Sequence, residues 1–403
     1  MQKQNNSTVV IIFAHLAIIF TVFSQIHAIQ SYARLVMFAC WSILLIYSFL
    51  AKRAFYVNRY IKTFLITLIF VLLHNVIASF VYSEFKISNY FEIALIPLFV
   101  FVTMFQVAGY ITPEHFKKIL VTYCISAIIF AGYLNIDVIP SLNEWLSTQV
   151  YIYESKNSAA QIFISSVIIL IFYIKSDLKI YNILRIVGAI YLVSISVFLQ
   201  CRTAILGLVC VLFFHFIMRS SAKKRMFFIT LAVLAVIIVM TNKTLFEIFE
   251  HTFGFDKYED GTINDLSSGR LDLYKLAFER FAENPMWGKI SYYVDCMYIS
   301  VYTALGIFGG TAFLIPWFKR ISRNFKSLKF AAKHKTYSDL EITVCYLTIF
   351  YFVESLLEGL PPFGPGATSA MFWLLCSYMD YTYYKPPKGS FLPAEESLKN
   401  RLI

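Results

Sequence analysis

Two arginines, three carboxylates and one histidine could do chemistry in a chain otherwise poor in charge, and they suit phosphate binding and proton transfer. Arg270 lies in SSGRLDLYKLAFERFAENPMWGK. Ser267 or Ser268 can cap a helix there, which puts the guanidinium in the first turn, where free N–H groups and the positive end of the dipole already favour an anion. A cation at that place is disfavoured by about 0.3–1 kcal/mol. The arrangement makes sense if a pyrophosphate lies between helix end and arginine, bonded bidentately; otherwise Arg270 is a solvated surface residue. Arg202 ends a very short turn, Gln200–Cys201–Arg202, between two apolar runs. A guanidinium at headgroup depth marks function unless it only snorkels to lipid phosphate. Asp295 opens an apolar stretch and is the leading catalytic base, although an ordinary aspartate is too weak unless burial or an acid such as Glu354 strengthens it. His251 is the second candidate, because imidazole titrates near neutral pH. Glu354 and Glu358 stand four residues apart on one helical face and are candidates to orient an arginine, bind substrate or form a structural ion pair. Arg280, further along the helix that Arg270 begins, is another candidate for substrate contact.

These residues must be positioned by membrane helices. Of 403 residues 59% are hydrophobic and 15% charged, and the mean hydropathy is +0.66, which places the chain among membrane proteins. Stretches long enough to cross as helix recur near 8–27, 34–51, 63–82, 91–110, 119–135, 158–174, 182–200, 203–218, 226–242, 295–316, 341–357 and 368–384, about 12 in all. The expected class is an all-α polytopic membrane protein, a single integral domain over 1–403 with one large periplasmic loop at 243–294. Both termini are expected in the cytoplasm, because that orientation leaves most of the 35 Lys and Arg residues inside, including RSSAKKR and the connection from Lys319 to Lys335. The loop carries mixed charge. At about 268–283 it has an amphipathic helix whose Leu271, Tyr274, Phe278 and Phe281 recur at spacings of three and four, suited to the bilayer surface or to other helix ends.

The net charge of +11 follows from topology and attraction to anionic lipid, so no nucleic-acid partner is implied. The first apolar run is membrane-length and lacks a cleavage site, so it reads as an anchor. The seven cysteines have no CxxC spacing and imply neither zinc nor a disulfide scaffold, although Cys201 and Cys296 fall near the same face. Phosphate loops, GxGxxG, HExxH, the nucleophile elbow and DxD are all missing, so no cofactor or metal is expected and no nucleotide drives the reaction. The energy of any group transfer is then stored in the substrate, which outside the membrane favours lipid pyrophosphates.

Short-turn arginine, large outer loop, SGR helix, NP and G together resemble the O-antigen polymerase and O-antigen ligase superfamily over roughly Lys156 to Gly309. Asn157 looks like that family's asparagine, CRTAILGL like its SRT-type turn, Ser268–Gly269–Arg270 like its SGR element, and Asn284, Pro285 and Gly288 like NP-x-x-G. DCMYISVYTALGIFGG is similar to the helix that follows. The resemblance implies a C-type membrane glycosyltransferase of the bacterial inner membrane that moves glycan from undecaprenyl pyrophosphate without a metal, with Arg202 and Arg270 as pyrophosphate binders and Asn157 a candidate substrate contact. It also implies a flippase and a chain-length regulator as partners. Ligases typically have His-Asn where this chain has Asp295 and Cys296, which favours a polymerase. The alternatives are a ligase acting on lipid A-core and, from another class, a flippase or secondary transporter; against a transporter stand uninterrupted helices and charges gathered at one face.

Overall fold

The computed structural model describes residues 8–50, 59–82, 96–147, 153–219, 222–253, 269–288, 294–334, 338–359, 362 and 369–384. Every regular element among them is helical. In chain order these are α1 (Thr8–Phe23), α2 (Gln30–Leu50), α3 (Arg59–Tyr82), α4 (Ile96–Ala108), α5 (Pro113–Asp137), α6 (Leu142–Ser147), α7 (Lys156–Phe172) and α8 (Lys179–Phe198). There follow α9 (Arg202–Arg219), α10 (Ala222–Thr241), α11 (Lys243–Phe253), α12 (Arg270–Glu283), α13 (Met297–His334), α14 (Asp339–Leu357) and α15 (Ala370–Tyr384). Each apolar stretch read from the sequence overlaps one of these helices, residues 91–95 lying outside the described residues. Among the described residues six helical segments are long and apolar enough to cross a membrane, and α1, α7 and most of α9 are shorter apolar helices. Such a set makes a multi-pass membrane protein.

Only helices satisfy every backbone group internally in hydrocarbon, so what remains to be settled is where the side chains go. Residues on the outside are apolar, as Leu35 and Phe80 show. Helices α7 and α14 are largely enclosed, with Ala159 through Leu170 of α7 continuously buried. Polar side chains on those two helices therefore need partners in the protein. Local chemistry fixes where several helices begin. Ser338 and Glu341 form a reciprocal capping box at the start of α14, and Thr112 caps α5 with Pro113 in its first turn.

The greatest departure from the expected layout is in α13. The sequence predicts a straight span at 295–316 followed by a basic connection. The chain instead turns back at Gly306 (φ 64°) and runs on as helix to His334. Tyr298 and Phe318 stack with centroids 5.9 Å apart, Trp317 Nε1 donates to the Tyr298 hydroxyl at 3.1 Å, and Tyr302 meets Thr311 at 3.4 Å. In a straight helix, residues 20 apart would lie about 30 Å from each other. Segments 297–305 and 307–334 are thus two antiparallel arms. The connection expected from Lys319 is helical to His334, and Arg320 is buried within the bundle against Asp380 at 2.8 and 3.1 Å.

The stretch expected as one loop, 243–294, contains α11 and α12. The amphipathic helix begins at Arg270 with Gly269 (φ 77°) in the N-cap position. Ser267 and Ser268, the expected caps, lie outside the described residues. The expected apolar stripe divides. Arg270, Tyr274, Ala277 and Phe281 are buried or half-buried, and α12 packs on α13. Leu271 and Phe278 are exposed.

Candidate functional site

Helices α7 and α14 run antiparallel and are joined by a ladder of polar side chains. Asn157 Nδ2 donates to both carboxylate oxygens of Glu358 at 3.0 Å. One turn deeper, Gln161 Nε2 donates to Glu354 Oε2 at 2.8 Å. The next rung pairs Ser165 with the Tyr351 hydroxyl at 3.1 Å, and the far ends of the same two helices are tied by Lys175 and Asp339. Residues four apart share a helical face, so Asn157, Gln161 and Ser165 form one stripe. Glu354 is 1% exposed, and its Oε1 makes no hydrogen bond among the described residues.

The ladder opens at its Glu358 end into a charged cluster. Glu358 caps the C-terminus of α14, its backbone N–H donating to the Glu354 carbonyl. Arg270 Nη2 reaches Glu358 Oε1 at 3.2 Å, and Arg270 Nε reaches Asp295 Oδ2 at 3.3 Å. Two carboxylates from different segments thus orient one guanidinium. Its Nη1 makes no hydrogen bond among the described residues. Burial disfavours the charge on Arg270, but Glu358 and Asp295 outweigh it and hold the proton more firmly than usual. Tyr274, one turn along α12, donates to the Asp295 carbonyl at 2.6 Å, and burial raises its own phenol. Thr203, second residue of α9, donates to Glu358 Oε1 at 3.4 Å. Burial pushes the Glu358 carboxyl up to about 7 against the opposing pull of Arg270, with the Asp295 charge adding to the rise.

Arg202 is half-buried at the first position of α9, immediately before Thr203. The preceding turn is tight, with Gln200 at φ 54°. Cys201 donates to the Lys156 carbonyl at 3.2 Å, its thiol is raised by burial, and both it and Cys296 are free. Both arginines singled out in the sequence therefore stand in the first turn of a helix, Arg270 bonded to Glu358 and Arg202 next to Thr203, which bonds Glu358. Residues 187–289 match the family described as O-Antigen ligase. The O-antigen ligase match takes in both arginines, α12 and Gly288, while Asn157, Asp295, Glu354 and Glu358 lie outside it. It indicates a membrane glycosyltransferase-like enzyme of the O-antigen ligase and polymerase kind, with a part in lipopolysaccharide biosynthesis. No curated protein matches the chain.

The NP-x-x-G turn has a mechanical place. Pro285 accepts from the Ile307 backbone N–H at 2.8 Å, so the turn plugs the fold-back of α13. Gly288 (φ 74°) and Gly306 face each other so closely that a Cβ on Gly288 would stand 2.4 Å from Gly306 N. From α3, His74 Nε2 donates to the Met286 carbonyl at 3.3 Å, and its ring lies 5.1 Å from that of Trp287. The C-terminal end of α12 is thereby anchored while its first residue faces the cluster.

Two sequence candidates stand elsewhere. His251 is 2% exposed and packs edge-on against Trp145 at 4.5 Å; Trp145 donates to the Phe198 carbonyl at 2.7 Å, which ties His251 to the end of α8. Arg280 pairs with Glu283 at 3.5 Å on the surface of α12, about 15 Å along the helix from Arg270. Gln161, Thr203 and the Tyr274 hydroxyl were not singled out as site groups from the sequence. The signal for Gln161 was its four-residue spacing from Asn157 inside an apolar stretch, matching Glu354 and Glu358. Nothing local marks Thr203.

Proposed function

We propose that the protein polymerises lipid-linked oligosaccharide repeat units at the periplasmic face of the bacterial inner membrane, transferring the growing glycan from undecaprenyl pyrophosphate to a hydroxyl of the next repeat. The observation that carries this reading is Arg270, clamped by Asp295 and Glu358 in the first turn of α12 with Nη1 left over. A guanidinium oriented in advance stabilises charge accumulating on a departing pyrophosphate without reorganising. Arg202 supplies the second cation from the first turn of α9, and helix N–H groups add to both. In this reading the guanidiniums neutralise the diphosphate where other enzymes use a metal ion, and Asn157 and Glu354 help to shape the acceptor side.

About 12 crossings, both termini in the cytoplasm and the periplasmic segment 243–294 complete the proposal, on the distribution of Lys and Arg. Polymerase is preferred to ligase because Asp295 and Cys296 stand where ligases typically have His-Asn. The description of the matched family favours the second reading, a ligase transferring glycan to lipid A-core. Deleting the gene in its host and resolving surface polysaccharide on a gel separates them. Polymerase loss leaves a single attached repeat unit in place of a ladder, ligase loss leaves no attached glycan, and flippase loss traps repeats inside. Arg202→Ala and Arg270→Ala at normal protein levels reproduce the single-repeat pattern; full ladders from both would refute the pyrophosphate site.

A further inference from the structure

We propose that Glu358 is the catalytic base, taking the acceptor hydroxyl's proton on its Oε2, while Asp295 serves to orient Arg270. The inference rests on the transfer reaction proposed above and assigns its proton. The hydroxyl oxygen forms a bond to the anomeric carbon as the bond from that carbon to the pyrophosphate oxygen breaks. The bonding pair leaves with undecaprenyl pyrophosphate, and the hydroxyl proton passes to Glu358.

The two oxygens of Glu358 are unequally occupied. Oε1 accepts from Arg270, Asn157 and Thr203, whereas Oε2 accepts only from Asn157 among the described residues. A carboxylate oxygen offers about two lone-pair directions, so Oε2 retains room for an incoming hydroxyl. The carboxyl is held by donors from three other helices, α7, α9 and α12, which fixes its direction as a base must be fixed. It also adjoins the guanidinium proposed to hold the leaving group, so both halves of the reaction meet at one residue pair. Asp295 is differently situated. Its side chain is 34% exposed against 7% for Glu358, so water competes with any substrate for it. Its recorded partner is Arg270 Nε, the atom that sets the rotation of the guanidinium.

The groups facing Glu358 are Arg270 and Tyr274 from α12, Asp295 before α13, Cys201 before α9 and Glu354 on its own helix. Among these the cation Arg270 favours the carboxylate, while burial and Asp295 favour its protonation, leaving it at about 7. A base near the operating pH combines a useful deprotonated fraction with appreciable basicity. The sign follows: Glu358 is a carboxylate above that value, so the rate falls as pH drops through it.

The test uses host membranes that lack the endogenous gene product but hold lipid-linked repeats, supplied with full-length wild type, Glu358→Gln, Glu358→Asp or Asp295→Asn at equal levels. Polymer formation is followed against pH, and binding of undecaprenyl pyrophosphate to each purified protein is measured by tryptophan fluorescence. The wild-type rate is expected to fall about tenfold per pH unit on the acid side of about 7. Glu358→Gln should lose about 100-fold or more in rate, far more than it loses in binding, because Asp295 still holds Arg270 through Nε. Glu358→Asp should retain part of the rate with a displaced acid limb, showing that the position tolerates a change. Asp295→Asn should weaken binding and keep the limb. A rate for Glu358→Gln close to wild type overturns the assignment, as does loss of binding in step with loss of rate, or disappearance of the limb in Asp295→Asn. If wild type itself does not bind undecaprenyl pyrophosphate, the reaction is wrong; if it binds and Glu358→Gln remains active, only the base is wrong.

Discussion

Two clusters of charge lie inside this bundle, and they differ in whether solvent reaches them. Between α13 and α15, Asp380 receives Arg320 through both oxygens and Arg323 at 3.0 Å, and the side chains of Arg320 and Asp380 are 0% exposed. Between α12 and α14, Arg270 meets two carboxylates by single bonds of 3.2 and 3.3 Å, remains 24% exposed, and keeps a nitrogen unengaged among the described residues. Buried charge needs partners in both places. Only the second is open to solvent, and so to a substrate. An arginine among acids inside membrane helices therefore signals function by its accessibility, not by its presence.

Breaking each cluster in turn should separate stability from activity. The largest effect is expected for Asp380→Asn, which leaves two guanidiniums facing a neutral amide. About 3–5 kcal/mol of folding free energy should be lost, seen as a lowered melting temperature in detergent, with transfer per folded molecule unchanged. Arg270→Ala should do the reverse, lowering transfer about 10²–10³-fold in membrane assays while the melting temperature stays near wild type. Gly288→Ala probes the anchor of α12. A non-glycine residue at its φ costs about 1–3 kcal/mol, and the added Cβ must also displace the Gly306 backbone, so both melting temperature and transfer should fall. Gln161→Leu leaves buried Glu354 Oε2 without its donor, a loss of about 1–3 kcal/mol readable in thermal denaturation. Smallest is Thr203→Val, whose hydrogen bond to Glu358 is long at 3.4 Å. A change in transfer of roughly fivefold or less is expected from about 1 kcal/mol; a much larger one would mean that Thr203 also contacts substrate.

The sequence singled out Arg270, Asp295 and Glu358 without revealing that they touch. Those three are separated by 25 and 88 positions, and contact across such separations depends on how helices pack, which local pattern does not encode. The ladder was half visible. Glu354 and Glu358 announced themselves as charges in an apolar stretch, whereas Gln161 and Ser165 were overlooked because a single neutral polar residue is ordinary in a membrane helix. His251 read as a loop residue, yet it belongs to α11 and is buried against Trp145.

Composition and apolar periodicity alone determined that the chain is a helical membrane protein, because twenty-residue hydrophobicity is a property of the chain itself. The fold-back at Gly306 was decided by tertiary structure. Its 38-residue segment is helical on both sides of Gly306, apolar before Lys319 and rich in Lys and Arg after it, and the turn becomes favourable only when the carbonyl of Pro285 receives the N–H of Ile307 and two glycines let the backbones meet. The pairing of Arg270 with Asp295 and Glu358 arose in the same way, since a buried charge takes whichever partner the packing brings near it.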